Sequence, residues 1–113
     1  MSDPVESNPE LYRVVFENDR VRVLEYRDQP GQSTSLHAHP DSVMVTLSGF
    51  RRRLRSGDRE VEVELPAFTA RWLDAQEHAG TNIGETASHS MFIELKEPSV
   101  AAAPDARLGP SHS

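Results

Sequence analysis

From about residue 10 to residue 97 the chain alternates apolar and polar residues in short runs, a period of two that belongs to strands rather than helices. Runs rich in Val, Leu and aromatic residues fall at 12–16, 20–26, 33–39, 43–47, 50–55, 60–65, 70–73, 79–83 and 88–96. Between them stand Pro30-Gly31, Gly57-Asp58 and Asn82-Ile83-Gly84, combinations that end strands and turn the chain. No segment has a sustained helical period, and no internal repeat is visible. Nine short strands predict an all-β domain, a jelly-roll barrel of two antiparallel sheets.

The phase of each run predicts which side chains face inward. Around Ser56-Gly57-Asp58-Arg59, Arg51, Arg53 and Arg55 alternate with Phe50, Arg52 and Leu54, and Glu60, Glu62 and Glu64 alternate with Val61, Val63 and Leu65. A hairpin there sets Arg55 opposite Glu60, Arg53 opposite Glu62 and Arg51 opposite Glu64, with the apolar set on the other face. The arginine run therefore reads first as one half of a cross-strand charge ladder, with an anion-binding patch as the alternative. Arg52 falls on the apolar side, either reaching the barrel rim or pointing into the cavity as a clamp for a carboxylate. In the last run His89 shares its phase with Met91, Ile93 and Leu95, which predicts an inward histidine opposite a face of Ser88, Ser90, Phe92 and Glu94. The same reasoning turns Val43 inward with Val45 and Leu47, and Phe68 and Trp72 read as core residues.

Composition narrows the class. The chain has 113 residues, enough for one domain, a formal net charge of −6 and no cysteine. The acidic balance argues against a nucleic-acid footprint, and the missing thiols exclude disulfides and thiolate metal sites. The start, Met1-Ser2-Asp3-Pro4-Val5-Glu6, has no basic and apolar leader, and no apolar run reaches membrane-spanning length, so a cytoplasmic protein without a membrane partner is expected. Residues 1–9 and 98–113 read as N- and C-terminal tails around a domain at 10–97. Their Pro, Gly and small polar residues bury too little to offset the entropy of ordering, which also sets His112 aside as a site residue.

The candidate chemistry lies in the histidines. His37 and His39 sit two apart in a predicted strand, so both imidazoles leave the same face one pleat apart and offer two metal ligands. His78, with Asn82 four residues later, follows downstream. Gly31, five residues, then His37-x-His39, together with His78 and Asn82, resembles the two motifs of the cupin superfamily over residues 10–97. The match departs in the second motif, where Ala67, Leu73 and Ala75 stand in place of Gly, Pro and Gly. It departs more in the first, where the family's glutamate is absent. The family spacing from His39 reaches Val43 or Met44, and the spacing back from Gly49 reaches Ser42. Asp41 is the nearest acid, in a turn after Pro40.

The resemblance implies a cupin-type barrel in which His37, His39 and His78 bind one divalent metal ion per chain. Fe(II) is the first choice, with Zn, Ni, Mn and Cu as alternatives, and Asn82 lies in a supporting shell. It implies an enzyme on a small carboxylate or chelating metabolite, with an Fe(II)-dependent dioxygenase as the most concrete reaction and His89 or Arg52 as catalytic or orienting groups. Alternatives are a ligand-binding or sensor domain without turnover and a metal-free isomerase or epimerase with a histidine base. Exposed strand edges on so small a domain also predict a homodimer.

Overall fold

The structure, a computed structural model, describes residues 3–96. It contains a helical turn α1 (Pro4–Ser7) and nine strands: β1 (Tyr12–Glu17), β2 (Val21–Asp28), β3 (His37–His39), β4 (Ser42–Thr46), β5 (Phe50–Ser56), β6 (Arg59–Leu65), β7 (Ala70–Leu73), β8 (Gln76–Asn82) and β9 (Ser88–Leu95). Each overlaps one of the nine predicted runs, although β3 keeps only the last three residues of 33–39 and β8 begins three residues before 79. The strands form a five-stranded sheet ordered β1-β2-β9-β4-β7 and a four-stranded sheet ordered β3-β8-β5-β6. Every pairing is antiparallel. The two sheets form a jelly-roll-like sandwich and do not close into a barrel. Among the described residues no helix is long and apolar enough to cross a membrane.

The β5–β6 hairpin has the predicted register, with Arg55 opposite Glu60, Arg53 opposite Glu62 and Arg51 opposite Glu64. Its tip is Gly57-Asp58, and Gly57 adopts φ 62°, the left-handed backbone that a tight hairpin turn needs and glycine supplies without steric cost. Glu62 pairs with Arg53 directly across the ladder (3.1 Å) and with Arg51 diagonally (3.3 Å). They are exposed, so they set register more than stability.

Leu11, Tyr12, Leu24, Tyr26 and Phe92 form the apolar core between the sheets, with Met44, Leu73 and Val5 packed against it. Much of the remaining interior is polar. Ser42, Thr46, Ser88, Ser90 and Glu94 are all buried. This reverses two predicted phases. On β9 the inward face is Ser88, Ser90, Phe92 and Glu94, and His89, Met91, Ile93 and Leu95 point away from the cavity. On β4, Ser42, Met44 and Thr46 face inward, so Val43 and Val45 face out, paired across the ladder with Ile93 and Met91. The expectation assumed that the more apolar face must be the inner one, and a polar interior breaks that assumption. Phe68 and Trp72 are likewise outside the core, at 81% and 54% exposure.

The amino-terminal stretch is docked, contrary to its reading as a tail. Asp3 caps α1 by accepting from the Val5 amide (3.0 Å), and buried Asn8 accepts from the Ser35 amide (2.9 Å). A few polar side chains with specific partners hold this segment where apolar area does not. The predicted carboxy-terminal tail, with His112, lies outside the described residues.

Candidate metal centre

The short strand β3 pairs with β8 so that His37 stands directly opposite His78 and His39 opposite Gln76. The ladder therefore sets two imidazoles side by side on the inner face, and the two-residue period of β3 adds the third. The ring centroids lie 4.8 Å apart for His37 and His39, 4.9 Å for His37 and His78, and 5.2 Å for His39 and His78. One nitrogen from each ring falls within 4.8 Å of the others, and all three residues are buried.

Each ring is oriented from behind through Nδ1. His37 Nδ1–H donates to the Ser35 carbonyl (2.8 Å), His78 Nδ1–H to the Gln76 amide oxygen (2.8 Å), and His39 Nδ1–H to Glu94 Oε2 (3.2 Å). An acceptor at Nδ1 fixes the tautomer and leaves a lone pair on Nε2. Glu94 is itself held by Arg22 (2.8 Å), which also binds Asp3, so the helical cap at the amino terminus connects through two ion pairs to His39. Burial, together with the neighbouring imidazoles and Arg52, pushes His78 down to about 3. Burial also lowers His37, against the opposing pull of the Ser35 carbonyl. These two rings are neutral near pH 7, the state in which an imidazole is a ligand. The donor set thus fits a divalent ion of the kind that accepts three nitrogens.

Tyr12, on β1, completes the inner wall. Its hydroxyl lies 3.4 Å from His37 Nε2 and 3.5 Å from His39 Nε2. Phe92 stacks on His39 with ring centroids 4.9 Å apart and planes 18° from parallel.

From His37 and His78 a cavity of about 250 Å³ extends between the sheets, lined by Met44, Phe50, Leu54, Val63, Leu65, Leu73 and Phe92, with Arg52 and Tyr26 on its wall. Arg52 faces this cavity but is already engaged. It pairs with buried Asp28, donates to Ser88 Oγ (3.2 Å) and lies 5.0 Å from the centre of the Tyr26 ring. Burial alone would raise the Asp28 pKa, but hydrogen bonds from Tyr26, Arg52 and Asn82 and the charge of Arg52 hold it below the usual carboxylate value. Gly80 leaves space for the guanidinium, since a Cβ there would meet it at 2.9 Å.

The remaining expected site residues lie elsewhere. Asn82 faces inward but donates to Asp28 (3.0 Å) and the Thr86 carbonyl (2.8 Å), and no histidine of the cluster is among its partners. His89 is on the outer face, bound to Glu25 (2.7 Å), and does not line the cavity. Glu25 is held down to about 2 by hydrogen bonds from Arg13 and His89. Exposed Asp41 accepts from the Ala75 amide (2.9 Å) at a turn and is not part of the cluster. No carboxylate occupies the family's glutamate position, and Met44 faces the cavity there.

Tyr12, Glu94 and Gln76 were not visible as site residues in the sequence. Glu94 carried a partial signal, a carboxylate in phase with two serines on an otherwise apolar strand. Tyr12 carried none, because only the pairing of β1 with β2 brings it to the histidines.

No protein-family model matches the chain, and no curated protein matches it significantly. Among solved structures, a cupin domain from Bordetella pertussis Tohama I is 28% identical, with 77% of this chain and 93% of that chain covered and a TM-score of 0.72. A protein with a double-stranded β-helix domain from Klebsiella pneumoniae is 22% identical over 73% of this chain and 68% of its own, at a TM-score of 0.58. The polyketide cyclase RemF from Streptomyces resistomycificus is 19% identical over 83% and 72%, also at 0.58, a likeness of fold alone. With its two antiparallel sheets and the His-x-His pair facing a third histidine across the β3–β8 ladder, the chain belongs to the cupin superfamily.

Proposed function

We propose that this protein is a metal-dependent enzyme that binds one divalent ion, Fe(II) in the first instance, through His37, His39 and His78, and acts on a small chelating metabolite with an apolar body. The observation that carries this reading is the set of three Nδ1 acceptors, Ser35, Glu94 and Gln76, which leaves all three Nε2 atoms free in a buried cluster where one nitrogen of each ring lies within 4.8 Å of the others. When bound, the ion supplies Lewis acidity and, as iron, the ability to react with dioxygen. The chain's own residues orient the ligands and exclude water: Phe92 covers His39, and the apolar wall from Met44 to Leu73 desolvates whatever enters.

The cavity lining is mostly apolar, and of its two arginines Arg52 is neutralised by Asp28 and so is not free to clamp an anion, while Arg71 lies on the wall opposite Met44 with no ion-pair partner among the described residues. A β-diketone or enol with hydrophobic substituents fits such a lining, with its oxygens toward the histidines. Metal analysis of purified protein should give about one divalent ion per chain, and His37→Ala should weaken binding by more than about 100-fold. Oxygen uptake by the iron-loaded protein with a β-diketone is the activity test. Equal metal occupancy in wild type and His37→Ala would remove the metal reading.

A second reading, a binding or sensor domain without turnover, draws on a specific feature. Arg52, Tyr26 and Asp28 satisfy one another, and His89 lies outside, so these groups offer no free acid or base at the cavity wall. Tight ligand binding by the metal-loaded protein with no product and no oxygen uptake would select this reading.

A further inference from the structure

We infer that Tyr12 is a fourth metal ligand, its phenol oxygen taking the place of the glutamate that the chain lacks; this rests on the three-histidine reading above. The hydroxyl is buried, and its two polar neighbours are His37 Nε2 at 3.4 Å and His39 Nε2 at 3.5 Å. Neither is an ordinary hydrogen-bond length, because a hydroxyl bonded to a ring nitrogen settles at about 2.7–3.0 Å. A buried hydroxyl left between two acceptors without a proper bond to either is costly. The spacing has a different sense around a shared ion. Donor atoms bound at about 2.0–2.2 Å to a tetrahedral centre stand about 3.3–3.6 Å from one another. The phenol oxygen keeps that spacing from both nitrogens at once.

The surroundings fix it there. The Tyr12 ring is wedged against Tyr26 (centroids 4.7 Å) and edge-on to His37 (5.5 Å), and β1 is registered to β2 with Tyr12 opposite Tyr26. The cavity-facing residue near the family's glutamate position is Met44, which leaves the ion without a carboxylate from that strand. On binding, the phenol gives its proton to solvent, and an oxygen lone pair makes the fourth bond. The anionic oxygen then offsets one of the ion's two positive charges, as a glutamate would have done.

A phenolate bound to Cu(II) gives a charge-transfer band with characteristic ring modes in resonance Raman spectra, and imidazole ligands do not give those modes. The probe is Cu(II) titrated into the metal-free full-length protein, followed by absorption and resonance Raman spectroscopy. The expected result is a phenolate band that saturates at one ion per chain. Tyr12→Phe should bind the ion without the band, and Tyr26→Phe should keep it. The chain has two tyrosines, so a band retained in Tyr26→Phe assigns it to Tyr12 even if Tyr12→Phe does not fold. Wild-type protein that binds Cu(II) without phenolate modes, or a band unchanged in Tyr12→Phe, overturns the inference while the three-histidine site stands. Wild-type protein that binds no ion overturns that site and this inference together.

Discussion

His78 is a base that the fold keeps from being one. An imidazole in an unfolded chain titrates near 6.5, and in this site burial and like neighbours bring His78 to about 3. Between those values the unfolded chain takes up a proton that the folded chain refuses. The stability that depends on a neutral His78 is therefore complete above about 6.5 and is lost progressively as the pH falls toward 3. At pH 5 the loss is about 2 kcal/mol for such a group, and His37, lowered in the same direction, adds to it. Urea unfolding of metal-free protein should show a clear drop in midpoint between pH 7.5 and pH 5, and His78→Gln should flatten it. Equal slopes in the two proteins would mean that His78 is not held neutral. The histidines were legible in the sequence because a strand fixes the relation of residues two apart. Tyr12 and Glu94 were not, because they approach His37 and His39 from 25 and 55 residues away along the chain, through pairings that no local pattern encodes.

At the scale of elements, strand positions were easy to read and strand phases were not. Each strand announces itself by alternation and by the turn residues at its ends, which are local properties. Which face is inner depends on what the interior contains. Here it contains a polar site, so β9 turns two serines and Glu94 inward and leaves Met91 and Ile93 outside. On β5 the phase was right, because Phe50 and Leu54 face in and take Arg52 with them to the cavity. The reversed phase of β4 has a direct test. Val43 pairs with Ile93 and Trp72 on the outer face, and Met44 lines the cavity with His37 and His78. Met44→Glu sets a carboxylate in the cavity directly opposite Arg71, so it should destabilise the metal-free protein by no more than about 2 kcal/mol, and it should tighten divalent binding at least about tenfold. Val43→Glu should leave metal affinity within about twofold. Calorimetric titration that finds tighter binding in Val43→Glu and none in Met44→Glu would show that β4 is turned the other way.

The whole molecule has one face that its own chain does not cover among the described residues. Phe16, Val23, Ile93, Val43 and Trp72 lie in register across all five strands of the larger sheet, on the side away from the cavity, and Met91, Val45 and Ala70 form the next row. An uncovered apolar face of this extent is a candidate interaction surface. We propose a second copy of this chain as the partner, because the charges at the flanks of this face are already paired off. The chain carries −6 overall, yet the flanks of this face pair Arg13 and Arg27 with Glu25 at one end and Lys96 with Glu17 at the other. Two copies meeting here therefore avoid the repulsion that their net charge imposes elsewhere. A twofold pairing would also cover the exposed indole of Trp72, whose ring nitrogen is already bonded to Asp74 (2.7 Å) and needs no further partner. Light scattering at micromolar concentration should give a particle of two 12.6 kDa chains, and the double substitution Trp72→Glu with Ile93→Glu should give one, with metal binding unchanged because neither residue lines the cavity. A single-chain mass for wild type would remove the dimer. A dimer that survives the double substitution would place the interface on another face, with the β6 or β1 edge strand the next to examine, since each has one free side in its sheet.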